Sequence, residues 1–454
     1  MNQQVVLPLW LFILILLFAA VTFASHFLFP SVRWFFRRRL ERAVARLNTR
    51  LKRPIEPFKL ARRHDMIQRL VYDPDVTEAV VAYARKHGVR EDVAFEKARD
   101  YAREIVPSFS AFTYFSFGAR LARWLAQSLY VVRTGAQNDA ALDAIDPDAT
   151  VIFIMNHRSN MDYVLVTTLA AQASALSYAV GEWARVWPLS RLIKSMGAYF
   201  IRRRARGNLY RAVLARYVQM ATANGVTQAI FPEGGLSLDG RLQPPKLGLL
   251  SYVVEAHRAG GREVVFVPVA INYDRVIEDR VLTGAQTRGD RKFRVRMTVV
   301  LASALRIVWQ RLRGRKGRMG VAEVVFGQPV PLGRDIPPIE TLAQDLMNRI
   351  GRDMPLLFVP LVAEAMLRAE GPLSDEELAT AVGALIEEAR AHGAPPVHGE
   401  TGTGIARARD DLMRRDLIAQ GADGWRIAPE ARDLVQFYAN SVAHFFPDHA
   451  ASAT

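Results

Sequence analysis

The sequence predicts an α/β protein with a mostly parallel sheet flanked by helices, an N-terminal transmembrane helix, and helical N- and C-terminal extensions. Between residues 131 and 355, short apolar runs alternate with helical stretches, which is typical of a parallel sheet. The predicted strands are 151–155, 176–180, 198–201, 227–231, 264–270, 295–301 and 322–326. Residues 31–130 and 356–454 carry helical patterns instead. The second range includes a capping box, Ser374-x-x-Glu377, and a predicted helix at about 406–420. The predicted organisation is therefore a membrane anchor at 5–29, a helical region at 31–130, an α/β domain at 131–355 and a helical region at 356–454.

The predicted anchor is an almost wholly apolar run that contains no Lys, Arg, Asp or Glu. Its length is sufficient to span the roughly 30 Å hydrocarbon core of a bilayer. A cleaved signal peptide is the alternative, but no basic region precedes the run and no Ala-x-Ala site follows it. Arginines follow closely, at Arg33, Arg37, Arg38, Arg39, Arg42 and Arg46. The positive-inside rule then predicts a single-pass protein of the inner (cytoplasmic) membrane, with the rest of the chain in the cytoplasm.

The amino-acid composition excludes some kinds of binding site and some kinds of partner. The 454 residues include no cysteine, which excludes disulfides and thiolate metal sites, and the nine histidines form no ligand cluster. We therefore predict no metal. The formal net charge of +15 suits anionic membrane lipids better than nucleic acid, which is not predicted as a partner. Residues 101–130 mix aromatic side chains with Arg120 and Arg123, and either an interfacial helix or an ordinary core helix fits this pattern.

The most informative motif is the heptapeptide 156–162, Asn-His-Arg-Ser-Asn-Met-Asp, which directly follows a predicted strand. His157 and Asp162 would lie about 140° apart on a regular helix. They can meet only if His157 lies in a loop and Asp162 in the next helical turn. A carboxylate placed there orients an imidazole that accepts a proton from a hydroxyl. The alternative is that Ser159 and Asp162 merely cap a helix.

Three further segments carry candidate binding residues. Residues 197–203 read Gly-Ala-Tyr-Phe-Ile-Arg-Arg, residues 231–235 read Phe-Pro-Glu-Gly-Gly and continue to Lys246, and residues 267–271 read Val-Pro-Val-Ala-Ile. Arg202 and Arg203 offer permanently charged donor forks, although a surface basic run has the same composition. Glu233 and Gly234 also fit a plain turn.

These four blocks, in this order, resemble the glycerolipid acyltransferases with the HxxxxD motif, and most closely the glycerol-3-phosphate acyltransferases. The resemblance spans about residues 150–273, and residues 437–444 look like a tail segment of the same enzymes. It implies the acyltransferase fold and transfer of an acyl group from a long-chain thioester to glycerol 3-phosphate. The donor would be an acyl-CoA or an acyl carrier protein thioester, without a further cofactor.

The resemblance also implies a role for each candidate residue. His157 would be the general base and Asp162 its orienting partner. Arg202 and Arg203 would face the acceptor phosphate, Glu233 and Gly234 would bind the glycerol backbone, and Lys246 would add positive charge. Backbone amides at the start of the helix after His157 would then stabilise the developing oxyanion.

The sequence departs from the family pattern after the third block. The pattern continues with arginine-serine-arginine, whereas this chain has Leu236, Ser237 and Leu238. Two expected phosphate-binding cations are missing, which leaves open lysophosphatidic acid or another lysolipid as the acceptor. A membrane-tethered basic binding protein on the same fold is the non-enzymatic alternative.

Overall fold

The computed structural model describes residues 8–135, 139–170, 174–181, 189–202, 207–289 and 318–447. The chain divides into two compact units, Met1–Ile55 and Glu56–Thr454. The first unit contains one long helix, α1 (Leu9–Asn48), which continues past the apolar run into the arginine-rich sequence. Within the described residues, no helix combines the length and the apolarity needed to cross a membrane. The transmembrane helix predicted at 5–29 is therefore not found, and its first three residues lie outside the described part of the chain.

The second unit begins with a layer of helices that precedes the sheet. These are α2 (Pro57–Leu60), α3 (Arg63–Val71), α4 (Pro74–His87), α5 (Glu91–Ile105) and α6 (Ala119–Leu129), with a π-helical turn over Thr113–Gly118 leading into α6. Helix α4 shows how the sequence determines such an element. Asp73 accepts a hydrogen bond from the Asp75 amide, Pro74 occupies the first helical position, and Gly88 ends the helix with a positive φ.

The sheet contains eight strands within the described residues. They are β1 (Val131–Thr134), β2 (Thr150–Met155), β3 (Ser177–Gly181), β4 (Tyr199–Ile201), β5 (Gln228–Ile230), β6 (Val264–Tyr273), β7 (Val321–Phe326) and β8 (Val330–Pro331). Their order is β1-β7-β6-β2-β5-β3-β4, with β8 paired to β6. Only β7 and β8 run antiparallel to β6, and the other pairs are parallel. The predicted mostly parallel α/β sheet is therefore confirmed.

Six of the seven predicted strands coincide with observed ones, and the seventh, 295–301, lies outside the described residues. Strands β1 and β8 were not predicted. The first is only half-buried and ends in Arg133 and Thr134, and the second is two residues long. Neither has the mostly apolar sequence of the central strands β2 and β6, whose residues are almost all buried.

Helices connect the strands and cover the sheet. They are α7 (Asp139–Asp143), α8 (Met161–Ala170), α9 (Leu189–Ser195), α10 (Asn208–Ala223), α11 (Gly248–Arg258), α12 (Asp279–Thr287) and α13 (Ile339–Arg352). Because β2, β5, β3 and β4 are mutually parallel, their carboxyl ends lie along one edge of the sheet. His157, Glu233 and Arg202 each follow one of these strands, so all three lie at the edge where such sheets bind ligands.

The C-terminal region was predicted to be helical, and the structure corrects this in one place. Its elements are α14 (Phe358–Arg368), α15 (Asp375–Ala391), α16 (Thr401–Arg414), the hairpin β9 (Ile418–Gly421) and β10 (Gly424–Ile427), and α17 (Arg432–Ala439). The capping box of Ser374 and Glu377 is present at the start of α15, as predicted. The helix predicted at 406–420 ends instead at Arg414. Trp425 is buried and pairs with Leu373 through the backbone, and this long-range contact holds the hairpin.

Candidate active site

The site begins where the chain leaves β2. The side chain of Asn156 donates to the carbonyl oxygen of Ile271 (2.9 Å) and accepts from the amide of the same residue (2.8 Å). These two bonds continue the pairing of β2 with β6 by one residue, through a side chain. The start of the following loop is therefore held at a defined position on the sheet.

The two residues of the HxxxxD motif meet in this loop. His157 lies before α8, and Asp162 lies in the first turn of that helix, so their side chains face each other. The distance between His157 Nδ1 and Asp162 Oδ2 is 2.8 Å, and the two side chains are 1% and 0% exposed. A buried carboxylate in contact with Nδ1 favours the tautomer with the proton on that nitrogen. Nε2 is then the ring nitrogen that can accept a proton.

Asp162 is held by more than His157. Its Oδ2 also accepts from the amides of Arg158 (2.8 Å) and Ser159 (3.0 Å), and its Oδ1 accepts from the hydroxyl of Tyr273 (2.6 Å). Burial and the charge of Asp162 raise the pKa of Tyr273 well above its usual value, so this phenol remains a donor. Asp162 thus contacts the imidazole and also accepts from two backbone amides of the loop.

Glu233 lies beside the histidine. Its Oε1 accepts from the His157 amide (2.8 Å), and its Oε2 accepts from the Gln243 amide (3.1 Å). The carbonyl oxygen of His157 accepts in turn from the Ser237 amide (3.0 Å). Burial raises the pKa of Glu233 to about 7, although these amides and the charge of Arg158 oppose the rise. In this structure the Glu233 carboxylate supports the His157 backbone, whereas the sequence predicted that it binds the acceptor.

Gly234 and Lys246 lie together at the turn after β5. Gly234 has a φ of +66°, and a Cβ built there would lie 2.7 Å from Lys246 Cδ and 3.0 Å from Lys246 Nζ. The Lys246 amide donates to the carbonyl oxygen of Pro232 (2.8 Å). The glycine therefore gives the lysine side chain room to cross the turn next to Glu233. The structure brings these predicted residues to the same side of the sheet edge as His157.

Arg202 follows β4, and its guanidinium group is occupied by a carboxylate. Its Nε lies 2.9 Å from Glu104 Oε1, and one terminal nitrogen lies 2.6 Å from Glu104 Oε2. The rings of Tyr101 and Tyr210 lie 5.3 and 5.9 Å away. The hydrogen bonds that Arg202 donates to the Glu104 carboxylate raise the pKa of Arg202 above its usual value. Strand β4, which precedes Arg202, lies three strand spacings, roughly 14 Å, from β2, which precedes His157. Arg203 lies outside the described residues.

The amides after His157 do not face an open site, which corrects the prediction that they stabilise an oxyanion. Those of Arg158 and Ser159 donate to Asp162, that of Asn160 donates to Glu278 (3.3 Å), and that of Met161 donates to the Ser159 hydroxyl (3.1 Å). Two buried carboxylates at the start of one helix require these donors. The amides are therefore used to hold the loop.

Sequence reasoning missed Tyr273, Glu278 and the role of Arg158. Glu278 accepts from the Ser159 hydroxyl (2.8 Å) and from the Asn160 side-chain amide (3.0 Å), and burial raises its pKa. Tyr273 and Glu278 lie more than a hundred positions from the motif, so no local spacing connects them to it. The one sequence feature that pointed to them was the predicted strand β6, which ends shortly before Glu278 and whose carboxyl end was expected near that of β2.

Comparison with known proteins identifies two family matches in this chain. Residues 137–272 match the family Acyltransferase, and residues 305–454 match the glycerol-3-phosphate acyltransferase C-terminal region. The first match contains His157, Asp162, Arg202, Glu233 and Lys246. The second contains the tail segment that the sequence analysis singled out.

Several curated proteins named as acyltransferases are similar to this chain at modest sequence identity. A glycerol-3-phosphate acyltransferase of Alteromonas mediterranea is 26% identical over 85% of this chain and 50% of its own length. One from Aeromonas hydrophila is 28% identical over 69% of this chain and 40% of its own length. A putative acyltransferase of Mycobacterium tuberculosis is 28% identical over 82% of this chain and 62% of its own length. The chain thus spans about half the length of the curated relatives it matches.

A solved structure is also similar in part. The crystal structure of the 1-acyl-sn-glycerophosphate (LPA) acyltransferase PlsC from Thermotoga maritima superposes with a TM-score of 0.33 and 20% sequence identity. The superposition covers 52% of this chain and 75% of that one.

Proposed function

Because this chain carries an acyltransferase domain followed by the C-terminal region of glycerol-3-phosphate acyltransferases, we propose that it is an O-acyltransferase of phospholipid biosynthesis. It transfers the acyl group of a long-chain acyl thioester to the hydroxyl of glycerol 3-phosphate, giving lysophosphatidic acid. The observation that carries this proposal is the buried His157–Asp162 pair, held by Tyr273 and two backbone amides at the carboxyl end of β2. A binding protein would gain nothing from a buried, charge-oriented imidazole, so the non-enzymatic alternative is disfavoured.

In the proposed reaction, one ring nitrogen of His157 carries out the proton transfer. Asp162 accepts a hydrogen bond from His157 Nδ1–H, which leaves Nε2 to take the proton of the acceptor hydroxyl as its oxygen attacks the thioester carbonyl carbon. A C–O bond forms, the C–S bond breaks, and the proton passes from Nε2 to the departing thiolate. Asp162 stabilises the imidazolium that exists between these two proton transfers.

Aromatic side chains surround this imidazole. The ring of Phe231 lies 4.3 Å from that of His157, and Tyr163 approaches it edge-on at 5.4 Å. A site with such walls excludes bulk water, which would otherwise compete with the acceptor hydroxyl and hydrolyse the thioester. The same walls strengthen the interaction of Asp162 with the imidazolium, because the local dielectric constant is low.

The acceptor phosphate is proposed to bind near Lys246 and Arg203. The side chain of Lys246 lies next to Gly234, the residue after Glu233, whereas the guanidinium group of Arg202 is already bound to Glu104. The acyl donor, whether an acyl-CoA or an acyl carrier protein thioester, serves as co-substrate, and no other cofactor is proposed.

A second acceptor follows from a specific observation. Leu236 and Leu238 pack partly buried against the hydrophobic core, at the positions where the family pattern places arginines. An apolar surface there suits an acceptor that already carries an acyl chain. Lysophosphatidic acid or another lysolipid is therefore the alternative acceptor, with the same chemistry at His157.

We also propose that the protein functions at the cytoplasmic membrane, with the catalytic domain on the cytoplasmic side. The apolar run at 5–29 and the arginines that follow it support this location. A second feature is the exposed face formed by Phe112, Phe117, Leu121 and Trp124, with Arg120 and Arg123 beside it. Exposed aromatic residues next to arginines are typical of surfaces that contact anionic lipid headgroups.

Product analysis tests the reaction. The protein, purified in mild detergent, is given a long-chain acyl thioester with either glycerol 3-phosphate or lysophosphatidic acid, and His157→Ala serves as the control. Lysophosphatidic acid formed from glycerol 3-phosphate by the wild type alone supports the leading proposal. Phosphatidic acid as the sole product assigns the second acylation step instead. Equal activity of wild type and His157→Ala would contradict the general-base role.

Vesicle co-sedimentation tests the membrane surface. The double variant Phe117→Ser/Trp124→Ser should lose much of its binding to vesicles that contain anionic lipid. Tyr72→Ser removes an exposed aromatic side chain elsewhere and is the matched control. Unchanged binding of the double variant, or an equal loss in the control, would contradict this assignment.

A further inference from the structure

Arg158, the residue after the candidate base, has a side chain that points away from the dyad into a buried junction. It is 3% exposed. One terminal nitrogen donates to the carbonyl oxygen of Gly240, and the other donates to the carbonyl oxygen of Ser441 (3.0 Å). Gly240 belongs to the loop after β5, and Ser441 lies just past α17. One guanidinium group thus connects the catalytic loop to two segments that are distant in the sequence.

The C-terminal segment, defined here as residues 437–441 (Phe-Tyr-Ala-Asn-Ser), reaches the same junction by other contacts. The side-chain amide of Asn440 donates to the carbonyl oxygen of Asp239 (2.8 Å). Gly240 has a φ of +84°, and a Cβ built there would lie 1.9 Å from the carbonyl oxygen of Phe437. No larger residue fits at this position without displacing the segment. The C-terminal segment and the loop after β5 therefore pack backbone to backbone, with Arg158 between them.

The charges around Arg158 explain why an arginine is tolerated in this buried position. Burial lowers the pKa of its guanidinium group, while the carboxylates of Glu233, Asp162 and Asp239 raise it. The guanidinium group therefore remains charged. It donates to two carbonyl oxygens that would otherwise be buried without this hydrogen-bond partner. A lysine carries the same charge, but it lacks the planar fork that reaches two carbonyl groups at once.

We propose that Arg158 is a positioning residue that clamps the C-terminal segment onto the catalytic loop and thereby sets the position of His157. The backbone of His157 is held by Glu233 and Ser237, and the side chain of the next residue, Arg158, binds Gly240 and Ser441. The inference rests on the proposed acyltransferase function, since its kinetic consequence is a displaced base.

Kinetics provide the first test. Displacement of a catalytic group by about 1 Å costs roughly 100-fold in rate, so Arg158→Met should lower kcat by about this factor and leave both KM values nearly unchanged. Arg158→Lys should recover only part of the loss. Arg432→Met removes an exposed arginine from α17 and should retain wild-type kcat. A rise in KM with unchanged kcat, or full activity of Arg158→Met, would overturn the proposal.

Coupling between the two ends of the junction separates positioning from general stability. Asn440→Ala loosens the C-terminal segment without contact with the dyad. If the clamp acts as one unit, the double variant Arg158→Met/Asn440→Ala should lose much less activity than the product of the single losses. Multiplicative losses would mean that the segment and Arg158 act independently, which contradicts the clamp.

Hydrogen exchange gives a readout that does not depend on catalysis. The amides of Arg158 and Ser159 donate to Asp162 and should exchange slowly in the wild type. In full-length Asn440→Ala they should exchange at least several-fold faster, while the amides of the distant helix α4 keep their rates. Faster exchange in a protein that forms no acyl product would support the clamp and reject only the proposed function. Unchanged exchange would overturn the clamp.

Discussion

Asp162→Asn isolates the negative charge of the proposed catalytic pair. An asparagine is isosteric, and its amide group can adopt one of two orientations. Asp162 Oδ2 receives three donors, from His157 Nδ1 and the amides of Arg158 and Ser159, whereas Oδ1 receives only the Tyr273 hydroxyl. The amide oxygen of the variant will therefore occupy the Oδ2 position, because an NH2 group there would face three donors. The His157 tautomer is retained and the negative charge is lost.

The size of the effect follows from that geometry. The charge centres of the carboxylate and an imidazolium in contact at 2.8 Å lie about 4 Å apart, and their attraction is about 4 kcal/mol at an effective dielectric constant of 20. This energy is present in the transition state, where the imidazole is protonated, and absent when the imidazole is neutral. At 1.36 kcal/mol per tenfold change, kcat should fall about 10³-fold.

The assay is steady-state acylation with both substrates varied, together with thermal unfolding of the same preparations. The KM values should stay within a few-fold of wild type, because Asp162 is fully buried. Tyr273→Phe removes the donor to Oδ1, leaves the His157 contact intact and should cost far less activity. A kcat within tenfold of wild type, with only a lower Tm, would refute the electrostatic role and leave Asp162 as a loop cap.

Three further predictions concern Glu233, Arg203 and Arg202. Glu233 has a pKa raised from 4.5 to about 7, so its burial costs no stability below about pH 4.5 and progressively more as pH rises through 7. The free energy of unfolding, measured with denaturant at pH 5 and pH 8, should fall over this range by up to about 3 kcal/mol more in wild type than in Glu233→Gln. Parallel pH dependences of the two proteins would contradict the raised pKa. Arg203→Ala should raise the KM for a phosphorylated acceptor much more than the KM for the acyl donor, as measured by initial rates. Arg202→Ala should mainly lower the Tm because Glu104 loses its bidentate partner, and an acceptor-specific KM effect there would restore Arg202 to phosphate binding.

The parts of the fold that were predictable are those in which the local pattern and the tertiary environment agree. Strands β2 and β6 are buried on both faces, so their sequences are mostly apolar. The capping box before α15 is also a purely local signal. The hairpin β9–β10 was missed because Trp425 is held by Leu373, some fifty residues earlier. The long apolar run of the N-terminus suggested a spanning helix, yet none was found among the described residues.

The sequence by itself determined that His157 and Asp162 meet, because their spacing after a buried strand permits essentially one way for them to do so. It also determined that both lie at the carboxyl edge of a parallel sheet, together with Glu233. Tertiary structure alone decided what each neighbour does. Glu233 holds a backbone amide, Arg202 binds Glu104, and Arg158 reaches the C-terminal segment. These partners are separated by tens to hundreds of residues, and the packing of the sheet and its helices brings them within hydrogen-bonding distance.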